Sequence, residues 1–112
     1  MGCVLVVTLM LGGSVGDHAG MARALEASGC EVRIEGEVRS AATMLLGPGC
    51  VTPDALVTLH LPSIDTPHWR SLMAGFYAPW LAEVFMNLPP GSPPVTLTGA
   101  QLVQAGETPC NE

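Results

Sequence analysis

The stretch Val4–Leu11 is apolar at every position except Thr8 and β-branched at Val4, Val6, Val7 and Thr8, and it runs straight into Gly12-Gly13-Ser14. An apolar, branched run of this length suits an extended strand covered on both faces, as at the centre of a parallel sheet. The paired glycines mark a turn whose backbone reaches conformations closed to other residues. Asp17–Ser28 then reads as a helix, with Ala19, Ala22, Leu25 and Ala27 on its inner side and Gly29 as its stop. Glu31–Ile34 alternates polar and apolar residues, which is strand-like. Strand, helix and strand within so short a stretch make a βαβ unit, right-handed by default.

Beyond this unit, Gly36 is expected to turn the chain and Ser40–Leu46 to form a short helix, broken by Gly47-Pro48-Gly49. Ala55–Leu61 is expected as a strand, with Ala55, Val57, Leu59 and Leu61 on one face and Leu56, Thr58 and His60 on the other. Thr66 as cap and Pro67 at the first helical position open an apolar helix over 66–88. Trp69, Met73, Phe76 and Trp80 form its stripe, and Pro79 is expected to kink or split it. So apolar a helix reads as core and as a partner surface. A Pro-rich linker follows over 89–95, then a C-terminal helix and tail over 96–112, opened by the capping box Thr98-x-x-Gln101 and ended by Gly106. The 112 residues make one α/β domain, 1–112, with a mostly parallel sheet and the βαβ core in 1–62.

Composition removes several functions. The net charge is −6 and the chain has no lysine, which excludes Schiff-base chemistry, a Ser–Lys dyad and a P-loop lysine. Its cations are Arg23, Arg33, Arg39 and Arg70, too dispersed for the basic footprint that nucleic acid requires. No run approaches the ~18 apolar residues of a membrane span. No Lys or Arg precedes the apolar N-terminal run, which leaves the location open: periplasmic or extracellular if an upstream signal has been removed, otherwise cytoplasmic. Cys3, Cys30, Cys50 and Cys110 are spread singly, which fits either two disulfides or four buried thiols. No His, Cys or Asp grouping has metal-ligand spacing, so neither metal nor cofactor is expected.

The chemistry-bearing residues are Gly12-Gly13 after the first strand, Ser40 at a helix start, and His60 near the end of a later strand. A serine there lies beside amides that lack helical partners, so Ala41 is placed to donate to an oxyanion, with Gly13 as a second donor. His60 would take the Ser40 proton as general base.

In this order the chain resembles the proteolytic subunit of the caseinolytic (ClpP-type) serine proteases. The matching stretches are Leu9–Ala22 (LMLGGSVGDHAGMA), Gly29–Leu46 (GCEVRIEGEVRSAATMLL), Val51–Pro62 (VTPDALVTLHLP) and Thr96–Gly106 (TLTGAQLVQAG), about half of the chain. The resemblance implies a small ClpP/crotonase-like domain in which Ser40 is the nucleophile, His60 the base, and Gly13 and Ala41 the oxyanion donors. Where the family has its orienting Asp, this chain has Pro93-Pro94-Val95. Asp65 is the substitute on hand, and its other reading is a loop acid beside the cap at Thr66–Pro67. The match is nearer to small exported ClpP-like proteins, which implies a Cys50–Cys110 disulfide. Cys3 and Cys30 precede two strands of one βαβ unit and so become neighbours. The resemblance implies a serine hydrolase acting on a peptide or small acyl substrate. The alternative is an inactive relative that self-associates through the aromatic helix 68–88; either way a homo-oligomer is expected.

Overall fold

Strand β1 (Val4–Met10), helix α1 (Val15–Ser28) and strand β2 (Glu31–Arg39) form the expected βαβ unit, β1 and β2 running parallel. This computed structural model describes residues 3–111. Ser14 starts α1, its hydroxyl accepting from the Asp17 amide at 3.3 Å, and Gly29 ends it at φ 73°. The helix therefore begins two residues before Asp17. A 3-10 helix (Ser40–Leu46) follows β2 directly, then β3 (Gly49–Val51), β4 (Leu56–Leu59), α2 (Pro67–Ala74), α3 (Pro79–Met86), β5 (Val95–Thr98) and α4 (Gly99–Gln104).

The five strands form one mixed, mostly parallel sheet in the order β1-β2-β4-β5, with β3 pairing beside the first half of β2. Only β5 runs antiparallel, zipped to β4 from Leu56–Thr98 to Leu59–Val95. The Thr58 and Thr96 hydroxyls meet across this pair at 2.8 Å. The helices and their core cover one face of the sheet. On β2, Val32, Ile34 and Val38 turn into that core, while Arg33 pairs in solvent with Glu31 and Glu35, and Arg39 with Glu37.

Several expectations change. β1 is an edge strand, not a central one, and of its residues only Val7 is buried. An apolar run records a tendency to be extended; strand order is decided by distant pairings. Gly36 does not turn the chain but sits inside β2. Between the pairs Val7–Ile34 and Leu9–Glu37, β2 takes three steps to two on β1, a bulge in which a Gly36 side chain would collide with the Thr8 carbonyl. The 66–88 helix is split, as Pro79 suggested, into α2 and α3. Thr66 caps α2, accepting from the Trp69 amide at 3.3 Å. Of the expected stripe, Met73 and Phe76 are buried, Trp69 is half-buried and Trp80 is 60% exposed, with Phe76 falling between the two helices; Tyr77, Leu81 and Phe85 are buried beside them. The expected linker ends in a strand, since Val95 already belongs to β5, and the Thr98–Gln101 capping box opens α4.

Two disulfides join the described residues, Cys3–Cys30 and Cys50–Cys110, each with Cα atoms 4.8 Å apart. The second spans 60 residues and ties the C-terminal tail beside β3, where the Cys110 amide donates to the Val51 carbonyl at 3.0 Å. In the chain-entropy description a loop of that size contributes about 4 kcal/mol. Such bonds are compatible with a secreted or oxidising environment. No helix of the described residues is long and apolar enough to cross a membrane.

Candidate functional site

The Gly12-Gly13 turn, Ser40 and His60 all follow the carboxyl ends of neighbouring parallel strands β1, β2 and β4. Arg39 of β2 pairs with Thr58 of β4, so Ser40 lies one residue past that rung and His60 two. This is the rim on which open α/β sheets usually carry their ligands.

Ser40 has φ 56°, and it is the one residue other than glycine with positive φ among those described. A side chain in this left-handed region costs roughly 1–2 kcal/mol, so the surroundings must hold it there. Two sets of contacts do. Gly12, itself at φ 97°, lies so close that a Cβ on it would be 2.8 Å from the Arg39 carbonyl, 2.9 Å from Ser40 Cβ and 3.4 Å from the Ala41 nitrogen. Only glycine lets the two turns approach this closely. From the core side, the Thr43 hydroxyl donates to the Ser40 carbonyl at 2.6 Å, and the Tyr77 hydroxyl lies 2.6 Å from Thr43 Oγ1. With Thr43 donating to Ser40, Tyr77 must donate to Thr43. Burial pushes the Tyr77 phenol far above its ordinary range, which keeps that proton in place.

Tyr77 is braced in turn. It meets Phe85 edge-on at 5.3 Å. The buried Glu107 carboxylate accepts from the next amide, Ala78, at 2.7 Å, where α3 begins. Burial raises the Glu107 carboxyl above the usual carboxylate range, and the Ala78 bond opposes that rise. Sequence reasoning missed Thr43, Tyr77 and Glu107; the Thr43–Tyr77 contact spans 34 positions and leaves no local pattern.

The side holding Gly13 and Ala41 is compact. Ala41 is fully buried at the head of the 3-10 helix, whose first amides have no partner within the helix. Gly13, at φ 149°, packs against His18, whose Cε1 would lie 3.1 Å from a Gly13 Cβ. The His18 Nδ1 lies 2.8 Å from the Ser14 carbonyl. His18 is thus tied to the glycine turn. A pocket of about 220 Å³ is lined by Gly13 and Ser14 on one side and by Pro62, Ser63, Ile64 and Trp69 on the other, joining the glycine turn to the segment after His60.

The His60 side is bare. His60 is exposed, and among the described residues its ring makes no hydrogen bond, to Ser40 or to any acid. Asp65 is committed elsewhere: its two oxygens accept from Arg70 Nε at 2.6 Å and Nη2 at 2.7 Å. Those bonds hold its carboxyl below the usual range. Arg70 is buried, and its Nη1 donates to the carbonyls of Phe85, Met86 and Leu88. The orienting role expected of Asp65 therefore has no contact behind it; Asp65 neutralises the arginine that closes the end of α3.

Fold and rim define a small mixed-sheet α/β domain with a strained serine at a strand-to-helix turn. No family model, curated protein or solved structure matches the chain.

Proposed function

We propose that this chain is a serine hydrolase of the ClpP-like kind, acting on a peptide or small acyl substrate in an oxidising compartment. The observation that carries this reading is the backbone of Ser40. A left-handed serine between a strand and a helix, wedged by glycine and tied at its carbonyl, is the strain expected of an exposed nucleophile. The hydroxyl oxygen of Ser40 attacks the substrate carbonyl carbon while His60 takes its proton. The amides of Gly13 and Ala41 hold the resulting oxyanion. His60 then returns the proton to the leaving group, and water releases the acyl chain from Ser40 by the same steps in reverse roles.

Lacking an acid on its far nitrogen, the His60 ring has no fixed tautomer, which costs about 10⁴ in rate in triads of this logic. That deficit favours a second reading, an inactive relative kept for its fold. A fluorophosphonate probe, which loses fluoride to an activated serine, separates the two. The hydrolase predicts labelling that vanishes in Ser40→Ala and falls in His60→Ala. An unlabelled, folded wild-type protein would leave the inactive relative.

A further inference from the structure

We infer that the outer edge of β1 is a seam between two copies of this chain, the strand pairing antiparallel with its own copy about a twofold axis at Val7. This goes beyond the hydrolase reading and does not depend on it. Among the described residues β1 pairs with β2 along one side only, so its other side presents a row of main-chain donors and acceptors with none of their strands beside it. Soluble proteins blunt such edges with charge, proline or short length. This one spans seven residues, VLVVTLM, with none of these three devices, and the bulge in its pairing with β2 puts the extra residue on β2, not on β1. Val4, Val6 and Leu9 are 59%, 47% and 61% exposed, and Leu11 just beyond is 61% exposed.

The occupant follows from self-complementarity. Centred on Val7, the antiparallel register sets Leu5 opposite Leu9, Val4 opposite Met10, and Val6 opposite Thr8, each pair on one face of the joined sheet. Two copies of an acidic chain would ordinarily repel, yet the first charge in the sequence is Asp17, outside the strand. The edges meet without like charges in register, and a charged partner would find no counter-charge there. The Cys3–Cys30 bond pins the start of β1 to the start of β2, so the strand adds beside its copy and does not exchange with it. Trp80 and Val84 on α3 are also exposed, but a helix face offers no free main-chain ladder.

Sedimentation of the oxidised full chain up to about 100 μM tests this, since dimer population follows concentration. Wild type should be a dimer. Val6→Lys with Thr8→Lys, both at exposed positions, should weaken association by about a hundredfold, because lysines then oppose lysines across the seam. Trp80→Ser should remain dimeric. Circular dichroism verifies that each variant is folded. Hydrogen exchange on wild type is the second measurement: protection of the outward amides of β1 should rise with protein concentration. A monomeric wild type, a dimer lost in Trp80→Ser, a folded lysine variant that still dimerises, or concentration-independent exchange in β1 would each overturn the seam.

Discussion

Ser40 and His60 follow adjacent strands at one rim of the sheet, yet they are held in opposite ways. Ser40 keeps an unfavourable backbone conformation because Gly12, Thr43 and, through Thr43, Tyr77 leave it no alternative. His60 is exposed and its ring has no hydrogen-bond partner among the described residues. Strain persists in a fold only where neighbouring contacts overdetermine it. The Ser40 side of the rim is thus built into the core, while the His60 side is left to solvent and to whatever binds. Mutations that act on one side and not the other measure this asymmetry.

The largest effect is expected at the wedge. Gly12→Val puts a branched side chain into a backbone at φ 97° and against the Arg39 carbonyl and Ser40 Cβ. Conformational strain and overpacking together should cost about 3 kcal/mol or more, read from urea denaturation. A loss under about 1 kcal/mol, the size of an ordinary substitution, would show that the two turns are not locked together.

A smaller effect of opposite sign is expected at Ser40 itself. Glycine removes a left-handed penalty of roughly 1–2 kcal/mol and adds about 0.4–1 kcal/mol of unfolded-chain entropy. The Ser40 hydroxyl makes no hydrogen bond among the described residues, so little else is lost. Ser40→Gly should therefore be more stable than wild type by about 0.5–1 kcal/mol, whereas Ser40→Ala should match wild type, keeping the strain. Greater stability with lost labelling is the trade expected where function holds a fold under strain. A Ser40→Gly protein less stable than wild type would remove the argument from strain.

The half of the molecule that was legible from sequence is the half written in local rules. Alternation placed Ala55, Val57, Leu59 and Leu61 on the buried face, and all four are buried. Caps at Thr66 and Thr98, the stop at Gly29 and the break at Pro79 were equally readable, because each is settled within a few residues. What escaped depends on distant partners. β3 and β5 have three and four residues, too few to show a period, and are strands only because β2 and β4 lie beside them. The edge position of β1 belongs to strand order, and Ser40–Leu46 forms a 3-10 helix with the same apolar pattern an α-helix would show. At the rim, the residue types were visible but the support was not. Nothing near Ser40 announces a left-handed serine, and nothing near Asp65 announces that Arg70 will claim it.

The smallest effect is expected at His60. Its ring is solvated and bonded to nothing in the described chain, so His60→Ala should change stability by no more than about 0.5 kcal/mol, the range of ordinary surface substitutions. The same variant is expected to lower fluorophosphonate labelling, because a proton acceptor acts in the reaction and not in the resting fold. Stability and reactivity then separate at this residue, as they do at Ser40 with the opposite sign. A His60→Ala protein destabilised by 2 kcal/mol or so, a loss typical of broken buried contacts, would mean that the ring supports the rim after all. The contrast between the two strands would then collapse.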